Sequence, residues 1–165
     1  MEDSFGKYRI TKNNWWSSGS FKVFDDNHKL AFRVSSPRFS FSWRKRMTMY
    51  GRDNECLYSI ENVSLIPQRF KIVDSDGSIT FVERDLTFGG SSINVKSEEI
   101  GDFTVKGNVW SNKFEFLNNN EEMALLSVKV WTAKDYGFVI KSIYSSSLLL
   151  CIACIIAYLK ESGQL

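Results

Sequence analysis

A run of twelve apolar residues near the C-terminus, Leu148 to Leu159, most constrains how this chain can fold. A helix that crosses a bilayer needs about 20 apolar residues, and this run has only twelve, which would span about 18 Å as an α-helix. Leaving it in water would cost on the order of 20 kcal/mol, because each large apolar side chain gains about 1.5 to 3 kcal/mol on burial. The sequence therefore predicts a helix that other parts of the chain enclose on every side.

The preceding sequence is typical of an antiparallel β-protein. Short runs rich in Phe, Val, Ile, Tyr and Trp are separated by polar clusters, such as Asp25-Asp26-Asn27-His28 and Asp74-Ser75-Asp76-Gly77, that favour hairpin turns. Strands are predicted at residues 8–11, 21–25, 29–35, 43–50, 55–61, 69–74, 78–84, 91–97, 102–109, 113–117, 123–130 and 136–143.

Three segments, which begin at Phe21, Phe70 and Phe114, share the order strand, acidic or amide turn, strand. Such recurrence is expected when one curved sheet is assembled from similar hairpins, and alternating strands would line it with apolar side chains. We therefore expect a single, mainly β domain over residues 1–165, a closed antiparallel barrel of about twelve strands enclosing the hydrophobic C-terminal α-helix.

The predicted helix has signals at both ends. Three serines, residues 145–147, offer an N-cap, and Gly163 offers a helix stop. Lys160 suits the negative end of the helix dipole. The segment is thus expected to form a complete helix rather than part of a longer one.

Cysteine usage and the N-terminus bear on the compartment. Of the three cysteines, Cys151 and Cys154 lie inside the apolar run, which favours buried thiols in a reducing environment over disulfides with Cys56. The start, Met-Glu-Asp-Ser, lacks the basic and apolar stretches of a secretory signal. These features predict a cytoplasmic protein, with peripheral attachment to a membrane left open.

Few residues offer catalytic or metal chemistry. His28 is the only histidine, so a Ser-His-Asp site or a histidine-rich metal site has little support. Cys151 and Cys154 have Cys-x-x-Cys spacing but an apolar setting, and the Asp-x-Asp-Gly turn at 74–77 lacks the downstream glutamate of a helical calcium loop. Gly89-Gly90 lacks the ending of a phosphate-binding loop. We predict no catalytic residue, no metal, no cofactor and no enzyme activity.

The charge is small overall but unevenly placed. A net charge of +2 is too small to predict nucleic-acid binding, yet all eight arginines lie within residues 1–84. Strand alternation that turns Met47, Met49 and Trp43 inward would turn Arg44, Arg46, Thr48 and Tyr50 outward. By the same alternation, inward Phe70 and Ile72 would leave Arg69 and Lys71 outside, and Lys22 and Arg33 would face outward on their own hairpin.

The residues proposed to bind a lipid headgroup are Arg44, Lys45, Arg46, Arg69 and Lys71. The competing interpretation is that this strand face is merely solvated.

Several stretches, in this order, resemble the LURP-one-related proteins of the tubby C-terminal-like superfamily, with phospholipid scramblases as further relatives. They are Tyr8 with Asn13, Phe21–Asp25, Phe70–Gly77, Gly107–Phe116 and Val128–Ile140, followed by the apolar helix. The resemblance implies a twelve-stranded barrel threaded by that helix, and it implies that basic residues on the outer surface hold phosphoinositide headgroups.

Two functions are favoured at this stage over a third, an enzyme or a barrel with an enclosed small ligand, for which the helix would leave little room. One is a non-enzymatic binding module that recognises an anionic lipid headgroup, phosphoinositide or phosphatidylserine, or a protein partner at a membrane surface. The other is a scramblase-like membrane protein anchored by its C-terminal helix. The oligomeric state is not indicated by the sequence.

Overall fold

The computed structural model of the chain describes residues 6–12, 20–37, 44–85, 91–108, 112–128, 135–141 and 144–162. Within them, twelve antiparallel strands form one closed barrel and one helix follows the last strand. The elements are β1 (Gly6–Lys12), β2 (Phe21–Asp25), β3 (Leu30–Ser35), β4 (Arg46–Tyr50), β5 (Cys56–Leu65), β6 (Gln68–Asp74), β7 (Ile79–Asp85), β8 (Ser91–Ser97), β9 (Phe103–Asn108), β10 (Lys113–Asn118), β11 (Glu121–Val128), β12 (Asp135–Ile140) and α1 (Ser146–Glu161). The predicted fold class is confirmed.

The barrel closes because its first and last strands pair. Each strand is hydrogen-bonded to its neighbours in the chain, and β1 joins β12 in a register that runs from Gly6 opposite Ile140 to Thr11 opposite Asp135. Closure leaves none of the twelve described strands as a free edge, so their backbone groups are paired on both sides.

Helix α1 fills the inside of this barrel. Every residue from Leu148 to Leu159 is buried, and Ile152, Ile155 and Ile156 have no exposed surface. Alternate strand residues form the wall around it, including Ile10, Val23, Met47, Ile60, Ile72, Val95, Phe116 and Phe138. Cys151 and Cys154 are buried free thiols, as predicted, and burial raises the pKa of Cys154 to about 12.

The N-terminus of α1 differs in one detail from its prediction. Ser145 is the N-cap residue, but its hydroxyl makes no capping hydrogen bond to the helix backbone. Its Oγ instead lies 3.5 Å from Oγ of Ser147, which is 3.0 Å from the hydroxyl of Tyr58 on β5. The serines therefore connect the start of the helix to the wall, and the expected side-chain cap is absent.

The C-terminus of α1 is closed by side chains. Ser162 is the C-cap residue and donates its hydroxyl to the carbonyl oxygen of Tyr158 at 2.8 Å. Lys160 lies in the last turn, as predicted, and donates to Oδ1 of Asn112 at 3.0 Å. Gly163, the predicted helix stop, lies outside the described residues.

Tyr136 fastens this end of the helix to β12. Its buried hydroxyl donates a 2.7 Å hydrogen bond to Oε1 of Glu161, whose other oxygen is 3.5 Å from Nζ of Lys12. Burial, the hydrogen bond and the negative charge of Glu161 all raise the pKa of Tyr136 well above its usual value of 10. The phenol therefore stays protonated in the folded protein over the ordinary pH range.

This hydrogen bond predicts an alkaline effect on stability. An unfolded tyrosine ionises near pH 10, so the contribution of the protonated Tyr136 is fully present below about pH 10 and is lost as the pH rises above it. Tyr136→Phe should lower the free energy of unfolding by about 1 to 3 kcal/mol at about pH 8. Between about pH 8 and pH 11, the free energy of unfolding measured by urea denaturation should fall less for the variant than for the wild type. An equal loss in both proteins would contradict this prediction.

In two hairpin turns, an aspartate side chain accepts hydrogen bonds from backbone N–H groups of the same turn. Oδ1 of Asp25 accepts the backbone N–H groups of Asn27 and Lys29, at 3.0 and 2.9 Å, and Oδ1 of Asp74 does the same for the second and fourth residues after it. His28 lies in the first of these turns with a positive φ of 60°. These contacts favour the interpretation of both acidic clusters as turn closers.

The largest difference from the predicted strands concerns β4 and β5. β5 continues to Leu65, four residues past its predicted end at Glu61, and β4 begins at Arg46 rather than at residue 43. A bulge between Asn62 and Ser64 shifts the register by one residue, and β5 stays paired with β6 as far as Leu65 opposite Gln68. Trp43 and its predicted inward orientation lie outside the described residues.

Candidate functional site

The alternation predicted for β4 and β6 is confirmed. Met47 and Met49 are buried, whereas the side chain of Arg46 is 71% exposed. On β6, Phe70 and Ile72 are buried, and the intervening basic residues are partly exposed on the outer surface. The barrel thus turns the basic positions of both strands away from the helix.

Pairing through β5 brings these positions together. Glu61 of β5 pairs with Arg46 of β4 on one side and with Lys71 of β6 on the other. Arg69 precedes Lys71 by two residues and therefore lies on the same face of β6. Side chains directly opposite each other on one face have Cβ atoms about 4.5 to 5.5 Å apart. We call the outward side of β4, β5 and β6, together with the adjoining Arg44, the basic face. Among the described residues it carries one carboxylate, Glu61, and four cations: Arg44, Arg46, Arg69 and Lys71.

Carboxylates partly neutralise the basic face. Oε1 of Glu61 is 3.5 Å from Arg46 and 3.8 Å from Arg44, and Oε2 of Glu83 on β7 is 3.5 Å from Nε of Arg69. The arginine side chains at 44 and 46 are 51% and 71% exposed. Exposed ion pairs of this kind contribute roughly 0 to 1 kcal/mol, so a multiply charged anion can replace the carboxylate at small cost.

Arg69 is held in place by an aromatic ring. Its guanidinium lies 4.0 Å from the ring centre of Phe81 on β7, the residue opposite Lys71. A cation over an aromatic face gains about 0.5 to 1 kcal/mol at an exposed site. Together with Glu83, this contact keeps the planar guanidinium along the surface of the barrel.

Lys45 contacts an aromatic ring of the helix. Its Nζ lies 5.6 Å from the ring centre of Tyr158, which packs edge-on against Phe70 near the C-terminal end of α1. Partial burial lowers the pKa of the Lys45 ammonium. Lys45 therefore takes part in the contact between the wall and the helix, and its predicted role in headgroup binding stays a prediction.

A shallow depression of about 420 Å³ lies on the basic face. Its polar lining comprises Arg46, Thr48, Ser59, Glu61 and Lys71. The hydroxyl groups of Thr48 and Ser59 lie opposite each other across β4 and β5, so cations and hydrogen-bond donors surround one cavity. The sequence prediction missed the contribution of β5, although the alternation of its buried positions 58 and 60 would have turned residues 59 and 61 outward.

The described part of the chain offers neither a cluster of metal ligands nor a helix that could span a membrane. No group of three His, Cys, Asp or Glu side chains there is placed to hold a metal ion. Within the same residues, no helix combines the length and the apolar character needed to cross a bilayer.

Comparison with known proteins places the chain in a family. The profile of the LURP-one-related family matches residues 7–157. A solved structure of an Arabidopsis thaliana protein has the same fold, with a TM-score of 0.66 and 14% sequence identity over 93% of this chain and 90% of that one. No curated protein matches the sequence. Since the family profile spans nearly all of its length, the chain belongs to the LURP-one-related family, within the tubby-like superfamily.

Proposed function

We propose that this protein is a non-catalytic binding module that recognises anionic lipid headgroups at the cytoplasmic surface of a membrane. The observation that carries the proposal is the row of Arg46, Glu61 and Lys71 across three strands, with Arg44 and Arg69 beside it. Phosphoinositide or phosphatidylserine headgroups supply the negative charge that such a face attracts.

The chemistry of arginine suits a phosphate group. A guanidinium presents a planar set of N–H donors that matches two phosphate oxygens at once, and Lys71 adds a point charge beside them. Each basic residue close to an anionic membrane contributes about 1 kcal/mol. We therefore expect reversible binding that weakens as salt shortens the range of the attraction.

Vesicle co-sedimentation at low and at physiological salt tests this proposal. Arg44→Ala with Arg46→Ala should weaken binding to vesicles that contain phosphatidylserine or phosphoinositide by about tenfold to thirtyfold. The matched control is Lys106→Ala with Lys113→Ala, which removes the same charge from exposed positions on β9 and β10, distant from β4 in the barrel order. The control should bind nearly as well as the wild type.

Glu61→Gln supplies a change of opposite sign in the same experiment. Removing this carboxylate releases Arg44 and Arg46 from their ion pairs and should raise affinity for anionic vesicles by about threefold or more. Negligible binding of the wild type at low salt would overturn the lipid proposal and leave a protein partner as the ligand. Equal losses in the two double variants would remove the basic face as the site.

The scramblase-like alternative would require α1 to leave the barrel. Its apolar residues, 148–159, are enclosed by the strands, and no described side chain among them is offered to lipid. This burial supports a role at the membrane surface over one that depends on an inserted anchor.

A further inference from the structure

The turn between β5 and β6 carries an exposed apolar pair. Ile66 is 84% exposed and the adjacent Leu65 is 52% exposed. Among the described residues, the other exposed large apolar side chains, Leu30 and Val139, are less exposed, at 40% and 36%, and lie far apart in the chain. Single exposed apolar residues are ordinary, whereas two consecutive ones at the end of a hairpin are not explained by the fold.

Within the described residues, the ladders to the strands on either side end before this turn. The last described backbone hydrogen bond from β5 toward the start of β4 is donated by the N–H of Asn62 to the carbonyl of Lys45 at 2.8 Å. The ladder between β6 and β7 ends at Arg69 opposite Glu83. In the ladders that the described residues form, Leu65 lies opposite Gln68 and Ser64 opposite Arg69, and residues 63–68 are not part of the ladders to β4 or β7. We call residues 63–68 the hairpin tip.

The hairpin tip adjoins the basic face. Arg69 lies opposite Ser64 in the register, so it is the first cation below the tip on β6. At about 3.3 Å per residue, Ile66 is roughly 10 Å along the strand from Arg69. An apolar end with cations at its base matches the layers of an anionic membrane, in which charged headgroups surround a shallow apolar boundary.

We infer that the hairpin tip inserts Leu65 and Ile66 into the boundary between headgroups and acyl chains while the basic face holds the headgroups. The inference rests on the proposed function and adds a way of orienting the barrel on the bilayer, with the C-terminal end of α1 toward the lipid. Insertion requires a bilayer, whereas headgroup binding by the basic face does not.

Two ligands distinguish these steps. Leu65→Ser with Ile66→Ser should bind vesicles containing phosphatidylserine and phosphatidylinositol 4,5-bisphosphate about tenfold or more weakly than the wild type. The same variant should bind soluble inositol trisphosphate with unchanged affinity. Leu30→Ser, an exposed apolar residue at the opposite end of the barrel, is the control and should leave both affinities unchanged.

A fluorescent label tests insertion directly. Ile66→Cys in a Cys56→Ser background places one exposed thiol at the tip, because Cys151 and Cys154 are buried. An environment-sensitive dye on that thiol should shift to shorter wavelength with anionic vesicles and remain unshifted with phosphatidylcholine vesicles.

Different failures have different meanings. Vesicle binding by the wild type together with an unaffected tip variant and an unshifted dye overturns the insertion and leaves the proposed function standing. Loss of soluble headgroup binding in the tip variant also overturns insertion, because it makes the tip part of the headgroup site. Absence of vesicle binding by the wild type overturns both.

Discussion

Ending the chain after Ile143 is expected to abolish folding. The cut removes α1, whose residues 148–159 are all buried inside the barrel. The burial of these side chains contributes on the order of 20 kcal/mol before entropy is subtracted, whereas a whole domain is stable by about 5 to 15 kcal/mol. A barrel without its helix would have a hollow apolar interior. Far-UV circular dichroism and size-exclusion chromatography of the truncated protein should show an unfolded or aggregated product.

A chain ended after Ser162 is the matched control, because it keeps every described contact of α1. It should remain folded, with the urea midpoint of the full-length protein. A folded and monodisperse product of the shorter truncation would contradict the enclosed-helix architecture. It would instead favour the alternative in which the helix serves as a membrane anchor.

Phe116→Ala is expected to be among the most damaging single substitutions in the strands. Phe116 has no exposed surface, and its ring centre lies 5.2 Å from that of Phe138 and 6.1 Å from that of Phe103. Truncation of a buried phenylalanine costs about 3 to 5 kcal/mol through lost burial and the cavity left behind. The loss of two ring contacts places this site toward the upper part of that range. Urea denaturation of both proteins measures the difference.

Phe116→Leu keeps most of the buried volume and should cost less than about 1.5 kcal/mol. If the alanine variant lost no more free energy of unfolding than the leucine variant, the three-ring cluster would not be a closely packed part of the core.

Periodicity and length made the fold predictable. The apolar run at 148–159 was too short for a membrane span and too apolar for a surface helix, so a surrounding wall was the remaining arrangement. Turns such as Asp74–Gly77 were recognisable because their residue types favour tight hairpins. The predicted end of β5 at Glu61 is too early, because a bulge between Asn62 and Ser64 interrupts the alternation of the strand without ending its pairing with β6.

The candidate site was predictable only in part. Alternation fixed the outward orientation of Arg46, Arg69 and Lys71, since a strand has a side-chain period of two. It did not show that Glu61 lies between two of these cations, because register depends on how the hairpins pair in three dimensions. The contact of Lys45 with Tyr158 was also not predictable, because Lys45 precedes β4 and strand alternation does not set its orientation.

The position of α1 after all twelve strands has a consequence for biosynthesis. On the ribosome, the strands emerge before the segment on which their inward side chains pack. One edge of β1 has no partner until β12 has been synthesised. Partners so distant in the chain make folding slow, and exposed apolar strands aggregate readily during such a delay. The nascent chain is therefore expected to stay sensitive to protease until translation has passed α1, and to gain resistance in a single late step.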